Sequence, residues 1–126
     1  MSWCFVQVRE ICEMINSGTQ PLQNLAVLKH YSPEPSPDRA KWAHHWIRTG
    51  LLAVEKVLLS CRSGKYCVGD EVTAADAFLV PQVYNAKRFK VDMEEMPVIT
   101  EIIANLENLE AFKKAHPDVQ PDGQPE

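Results

Sequence analysis

Residues 64–76 of the chain read Gly64-Lys65-Tyr66-Cys67-Val68-Gly69-Asp70-Glu71-Val72-Thr73-Ala74-Ala75-Asp76. The last four have the spacing of a capping box, in which the hydroxyl of Thr73 meets the backbone N–H of Asp76 and the Asp76 carboxylate reaches back to the N–H of Thr73. The two glycines ahead of the box permit backbone angles that other residues resist. We therefore predict a loop over Arg62–Val72 and a helix that begins behind Thr73.

The residues that follow the box predict the centre of the core. Residues 77–84 are apolar nearly all round, as expected of a helix that other helices surround. We place Pro97 at the first position of a further helix, in front of apolar residues at helical spacing, which are Ile99, Ile102, Ile103, Leu106 and Leu109. This pattern predicts one or two more amphipathic helices.

The residues before the box predict two helices. Apolar residues from Val8 to Leu28 follow a helical period that Gly18 and Pro21 interrupt, so we expect one long helix with a bend centred at Gln20. The proline-rich segment Tyr31–Asp38 is typical of a connecting loop.

A second helix should follow this loop, with Asp38 as its N-cap. Its apolar face runs from Ala43 to Leu58, while Arg48, Glu55 and Lys56 lie on the opposite face. Because no segment shows the alternation of a strand, we predict an all-α fold. We place one helical domain at residues 1–116 and a disordered tail at residues 117–126, where three prolines and one glycine occur.

The composition excludes several classes of function. The net charge of −4 argues against a nucleic-acid partner, as do the basic residues, which are scattered except for Lys87, Arg88 and Lys90. No apolar run approaches the roughly 20 residues that span a bilayer. The four cysteines lack a Cys-x-x-Cys spacing, so we expect reduced thiols in a cytoplasmic protein. The adjacent residues His44 and His45 point about 100° apart on a helix and cannot share a metal, and we predict no metal site.

Three runs of sequence carry a resemblance to a known family. The run 64–76 resembles the segment that opens the central helix of glutathione transferase C-terminal domains. The runs Thr19–Leu25 and Val80–Val91, with the ending Ala115–Pro117, resemble the zeta class, whose members include the maleylacetoacetate isomerases. The resemblance covers nearly the whole chain from Val8 onward and implies a glutathione transferase C-terminal-like helical bundle.

The zeta class implies a function for the intact protein. Its members catalyse the glutathione-dependent cis–trans isomerisation of maleylacetoacetate to fumarylacetoacetate in tyrosine and phenylalanine catabolism. They begin with a thioredoxin-like domain that activates the glutathione thiol, and nothing in this sequence corresponds to that domain. We therefore expect the C-terminal half of such a protein, with no catalytic residue of its own and little or no activity as an isolated chain.

The resemblance also implies site residues. Arg88 matches the substrate arginine of the family, and the alternative for it is a surface arginine in the basic cluster Lys87–Lys90. Gln20, Asn24, Leu25 and Ala26 match the stretch that reaches glutathione, and the alternative for them is a bent helix whose amides satisfy local backbone. Ala26 stands where relatives more often carry serine. Glutathione is thus the implied co-substrate, and whether this chain alone binds it is left open.

Two hypotheses about function follow. In the first, the chain supplies the substrate-site wall and dimer contacts of an isomerase. In the second, it is a stand-alone interaction module without catalysis. Both predict a homodimer or other self-association through an exposed apolar face. Without the thioredoxin-like domain, the surface that this domain would cover is exposed, and an interdomain contact typically covers about 600–1,500 Å².

Overall fold

A computed structural model describes residues 3–123, and these residues form helices and no strand. The all-α prediction is confirmed. The elements are α1 (Trp3–Asn16), α2 (Gln20–Gln23), α3 (Leu25–Tyr31), α4 (Pro37–Cys61), α5 (Ala74–Arg88), α6 (Pro97–Glu107), α7 (Glu110–Ala115) and a 3₁₀ turn (Pro117–Val119). Within the described part of the chain, no helix is long and apolar enough to cross a membrane.

The core forms where α1, α4, α5 and α6 meet. α5 packs against α1, α4 and α6, and α4 also contacts α1 and α6. The fully buried large apolar side chains of this core are Ile11, Ile15, Ile47, Leu51, Val54, Leu58, Leu79, Met96, Ile99, Ile102 and Leu106. One side of α5 is left open, since Ala77 and Pro81 are exposed and Val80 is only half-buried. The prediction of a helix surrounded on all sides is therefore only partly right.

The segment from α1 to α3 is broken rather than bent. α1 ends at Asn16, and α2 begins at Gln20 with Pro21 in its first turn. Proline is well suited to that position because the N–H it lacks would have no helical partner there. Asn24 has extended backbone (ψ 139°) and its side chain accepts a hydrogen bond from the N–H of Ala26 at 2.9 Å, which starts α3. The predicted single helix with a kink is wrong for this reason.

The N-cap of α4 is Ser36, not Asp38. The Ser36 Oγ accepts a hydrogen bond from the backbone N–H of Asp38 at 3.2 Å, and Pro37 occupies the first turn. Asp38 lies in that first turn, where its negative charge is favourable beside the free N–H groups.

The capping box of α5 is formed as predicted. The N–H of Thr73 donates to Asp76 Oδ2 at 2.8 Å, and the Thr73 hydroxyl donates to the same oxygen at 3.2 Å. The other oxygen, Oδ1, accepts from the N–H of Cys67 at 2.9 Å. The fully buried Asp76 thus ties the loop to α5. Gly69 in that loop has φ +76°, a conformation that glycine adopts without strain.

Glu55 does not lie on the solvent face of α4, where the helical pattern places it. Its side chain is 3% exposed, and its two carboxylate oxygens accept from the N–H groups of Val98 and Ile99, both at 2.9 Å. The residue before α6, Met96, has no capping side chain, so Glu55 caps α6 from a different helix.

The tail folds back beside α7. The Gln120 Nε2 donates to the carbonyl of Lys114 at 2.7 Å and to that of His116 at 3.1 Å. Residues 124–126 of the predicted disordered tail lie outside the described residues, as do residues 1–2 of the predicted domain. The disorder of the tail therefore stays a prediction.

Candidate functional site

A cavity of about 320 Å³ separates the α2–α3 segment from the end of α5. Its lining residues are Gln20, Gln23, Asn24, Leu25, Asn85, Arg88 and Phe89. Three of the four predicted glutathione residues therefore share one cavity with the predicted substrate residue, Arg88. The two sets lie more than 60 residues apart in the sequence, and the packing of α5 against the helices around it brings them together.

Ala26 does not line this cavity. Its backbone N–H is engaged in the helix cap with Asn24 Oδ1, and its side chain is a methyl group that can form no hydrogen bond. The same cap uses one of the two acceptor positions of the Asn24 side-chain oxygen, so Asn24 can offer the amide nitrogen Nδ2 and the second acceptor position to a ligand.

Residues 20–25 form one side of the cavity, which we call the α2 wall. This wall is attached to α4 at two points. The indole Nε1 of Trp42 donates to the carbonyl of Leu22 at 2.9 Å. Thr19 is 1% exposed and lies against Gly50, where an added Cβ would sit 2.0 Å from the Thr19 Oγ1. Gly50 is thus required for the close approach of this segment to α4.

A pair of amides joins the α2 wall to α5. The Gln23 Nε2 donates to Gln82 Oε1 at 3.0 Å, and the Gln82 Nε2 donates to Gln23 Oε1 at 3.1 Å. Gln82 is 1% exposed, whereas Gln23 is half-buried and lines the cavity.

The α5 wall ends in a tight turn that sets the position of Arg88. The N–H of Val91 donates to the carbonyl of Ala86 at 2.9 Å, and the N–H of Lys90 donates to that of Lys87 at 3.0 Å. This is the Schellman arrangement, with Lys90 at φ 56° in the place that glycine usually takes. Just before it, the Nδ1–H of His44 donates to the carbonyl of Phe89 at 2.9 Å.

The one formal charge among the lining residues of the cavity is positive. Among its lining residues only Arg88 carries a formal charge, and it lies in the last helical turn of α5. A guanidinium can hold a carboxylate through two parallel hydrogen bonds, and the amides of Gln20, Asn24 and Asn85 can meet peptide groups. The arrangement can therefore bind a polar, anionic ligand and orient it. The neighbouring residue Lys87 forms an ion pair with Glu107, with 3.2 Å between Lys87 Nζ and Glu107 Oε1.

A second, larger groove of about 1,030 Å³ runs along the open side of α5, and Arg88 borders both spaces. Its apolar surface includes Val80, Pro81, Tyr84 and Phe112. The ring of Tyr84 meets that of His116 edge-on, with 5.6 Å between centroids.

Three cysteine thiols, those of Cys12, Cys61 and Cys67, are not activated. Burial raises the pKa of Cys12, of Cys61 and, most strongly, of Cys67, whose thiol also lies near the Asp76 carboxylate. A thiol needs a lowered pKa to act as a nucleophile near neutral pH. Within residues 3–123 there is also no cluster of three or more His, Cys, Asp or Glu side chains that could hold a metal.

Sequence reasoning missed Gln23, Asn85 and Phe89 as lining residues. Gln23 lies inside the run Thr19–Leu25, and Asn85 lies one turn before Arg88, so the helical period offered a signal for both. The partner of Gln82 could not be found in this way, because it lies 59 residues away in the sequence.

Comparison with known proteins identifies the family. Residues 22–116 match the family model of the glutathione S-transferase C-terminal domain, and the chain belongs to this family. The resemblance to the maleylacetoacetate isomerases is also confirmed. The chain is 55% identical over 120 residues to a probable maleylacetoacetate isomerase 2 of Drosophila melanogaster, covering 95% of the chain and 51% of the relative. It is 52% identical over 115 residues to the maleylacetoacetate isomerase of Mus musculus, covering 91% and 51%.

A solved structure supports the same assignment. The maleylacetoacetate isomerase of Anaeromyxobacter dehalogenans, with dicarboxyethyl glutathione and citrate bound in its active site, superposes with a TM-score of 0.93. The sequences are 39% identical, and the match covers 99% of this chain and 56% of that one. The chain thus spans about half the length of the relatives it matches.

Proposed function

We propose that this chain forms one wall of the active site of a glutathione-dependent maleylacetoacetate isomerase. In this proposal Arg88 holds a carboxylate of the substrate, and Gln20, Asn24 and Leu25 contact glutathione. One observation carries the proposal: these residues, from two distant runs of sequence, line a single cavity with one positive charge. Ala26 is not included, because it lies outside that cavity.

The proposed reaction gives the chain's residues an orienting role. The glutathione thiolate forms a bond to one carbon of the cis double bond, and the π electrons move into the conjugated carbonyl group to give an enolate. Rotation follows about the resulting single bond, and the enolate electrons then re-form the double bond as trans and expel the thiolate. A guanidinium at Arg88 can fix the substrate carboxylate against the sulfur during these steps. The resemblance assigns thiolate activation to a thioredoxin-like domain, and we expect residues of such a domain to complete the site.

We also propose a cytoplasmic location. All four cysteines are free in the structure, which is in keeping with a reducing compartment. The second hypothesis, an interaction module without catalysis, is favoured by a different feature, the large groove on the open side of α5.

A chimaera tests the proposed function. The matching C-terminal segment of the mouse relative would be replaced by this chain, and kcat/KM for maleylacetoacetate measured with glutathione. We expect activity in the chimaera and a loss of about 10- to 100-fold with Arg88→Gln, because a hydrogen-bonded charge partner is worth ~1.5–3 kcal/mol. Arg88→Lys keeps the charge but loses the paired hydrogen bonds of the guanidinium. Its kcat/KM should therefore lie between that of the unsubstituted chimaera and that of Arg88→Gln.

The control for this experiment is Lys87→Gln, which removes a neighbouring charge from the same basic cluster. Equal losses from Lys87→Gln and Arg88→Gln would mean that only the general charge matters, and would contradict the proposed role. The 126-residue polypeptide by itself should show no turnover above a heat-treated sample. Clear turnover would overturn the assignment of thiol activation to residues outside it.

A further inference from the structure

We propose that Gln82 is a positioning residue of the cavity, which acts through Gln23 to hold the α2 wall in place relative to Arg88. The inference rests on the proposed function of the cavity. It concerns a residue that does not itself line the cavity but is hydrogen-bonded to one that does.

The first argument is the cost of an amide in the core. Gln82 is 1% exposed and lies in the buried stripe of α5, next to Val83. A buried amide is unfavourable unless its donor and acceptor are both satisfied, and an apolar side chain of similar size would be accommodated readily. Both groups of this amide are satisfied by Gln23 alone. The pairing is thus the feature that distinguishes glutamine from methionine or leucine at this position.

The second argument is the position of Gln82 along α5. Asn85 follows it by three residues and Phe89 by seven, so the three side chains follow one stripe of the helix. Asn85 and Phe89 line the cavity, and Gln82 lies behind them in the core. The stripe therefore begins at a buried anchor and ends beside the exposed Arg88.

The third argument is the way α2 is attached. Trp42, which donates to the carbonyl of Leu22, and Gly50, which lies against Thr19, connect it to α4. The Thr19 hydroxyl connects it to α1, through a hydrogen bond to the carbonyl of Met14 at 3.1 Å. The Gln23–Gln82 pair connects it to α5, which carries Arg88. Gln23 lies one residue before Asn24 and three after Gln20. Loss of the pair should therefore let both of these residues shift relative to Arg88 without removing any group from the lining.

The test uses the 126-residue chain with Gln82→Met, which keeps the volume and removes both hydrogen bonds. Amide hydrogen exchange should quicken by about tenfold across residues 20–28, equivalent to ~1.4 kcal/mol of local opening free energy. The NMR signals of the Asn24 and Asn85 side-chain amides and of the Arg88 Nε–H should shift or broaden. Exchange in α4 and α6 should stay as in the parent chain.

The matched control is Asn105→Met. It removes a different side-chain amide hydrogen bond, from Asn105 Nδ2 to the carbonyl of Lys65 at 2.9 Å, and neither of these two residues lines the cavity. This variant should leave residues 20–28 and the cavity signals unchanged. If Gln82→Met leaves exchange across residues 20–28 unaltered, or raises exchange equally in every helix, the positioning role is overturned.

Gln82→Glu supplies a second, reversible test. A neutral carboxylic acid has one O–H donor and one free acceptor, so it can restore both bonds to Gln23, whereas a carboxylate can only accept. Exchange across residues 20–28, corrected for its intrinsic pH dependence, should slow toward the parent value between about pH 7 and about pH 5, since burial raises a carboxyl pKa. Faster exchange that persists at both pH values would contradict the pairing mechanism.

Different experiments test this inference and the proposed function, so a failure of one can be distinguished from a failure of the other. Arg88→Gln in the chimaera decides the function of the cavity, whereas exchange and NMR in the chain decide the role of Gln82. A silent Arg88 variant together with a local effect of Gln82→Met would leave a structural pair beside a cavity of another function.

Discussion

Asp76 holds the loop and the start of α5 together through a single carboxylate. Oδ2 accepts from the N–H and the hydroxyl of Thr73, and Oδ1 accepts from the N–H of Cys67. The half of this arrangement that lies within the capping box could be predicted from its spacing. The bond to Cys67 could not, because it depends on how the preceding loop folds over the helix.

Asp76→Asn should destabilise the chain by about 1–3 kcal/mol, measured by urea unfolding. The asparagine side chain keeps one acceptor, but its NH₂ group must face one of the backbone N–H donors that now bond to the carboxylate. A buried donor left without an acceptor costs about that much. Asp70→Asn, an exposed position in the same loop, is the control. An unfolding free energy for Asp76→Asn equal to that of the control would contradict the role given to the buried carboxylate.

The residues of the candidate site were predicted from the resemblance to a family, and the structure shows which of them line the cavity. Arg88, Gln20, Asn24 and Leu25 line one cavity, while Ala26 lies outside it. A motif match gives positions along the sequence. It does not show which side chains point away from the cavity where the helix breaks between α2 and α3. The binding roles of Arg88, Gln20, Asn24 and Leu25 stay predictions, and substitution of Arg88 in the chimaera tests the first of them.

At the scale of helices, periodicity predicted which segments are helical but not all of their ends. α6 begins at Pro97 as expected, whereas the segment from α1 to α3 is broken where a bend was expected. The break depends on a side-chain cap from Asn24, and hydrophobic periodicity does not detect such a cap. Glu55 was misplaced for a similar reason, because an acidic residue on a helix normally faces water.

Glu55→Gln should loosen the start of α6 and lower the stability of the chain by about 1–3 kcal/mol. The two carboxylate oxygens accept from the N–H groups of Val98 and Ile99, and glutamine can offer only one acceptor there. Amide exchange at Val98 and Ile99 should rise more than exchange in α1. The exposed carboxylate of Glu71 provides the control, as Glu71→Gln, and an equal effect of both changes would argue against a cap.

For the molecule as a whole, the single helical core followed from the sequence, and the open side of α5 did not. A helix that is apolar all round was expected to be buried all round. Instead the described residues leave Val80 and Tyr84 half-buried beside a groove. The apolar character of a helix indicates that its surface will be buried. It does not indicate whether the surface is buried by the same domain or by another domain or chain.

We propose that this open side associates with a second copy when the 126-residue chain is studied alone. The groove has apolar surface from Val80, Pro81, Tyr84 and Phe112, and burying such area is favourable by about 25 cal/mol per Å². Sedimentation velocity at tens of micromolar should show a dimer or larger species. Higher salt should not dissociate it, since screening weakens ion pairs and not apolar contacts.

Val80→Glu should convert that species to a monomer, because a charge would be buried in the contact without a partner. Leu59→Glu is the matched control, since Leu59 is 65% exposed on α4 and does not line the groove. The control should sediment like the parent chain. A parent chain that stays monomeric would remove the case for this surface, and dissociation by Leu59→Glu instead of Val80→Glu would move the contact to α4.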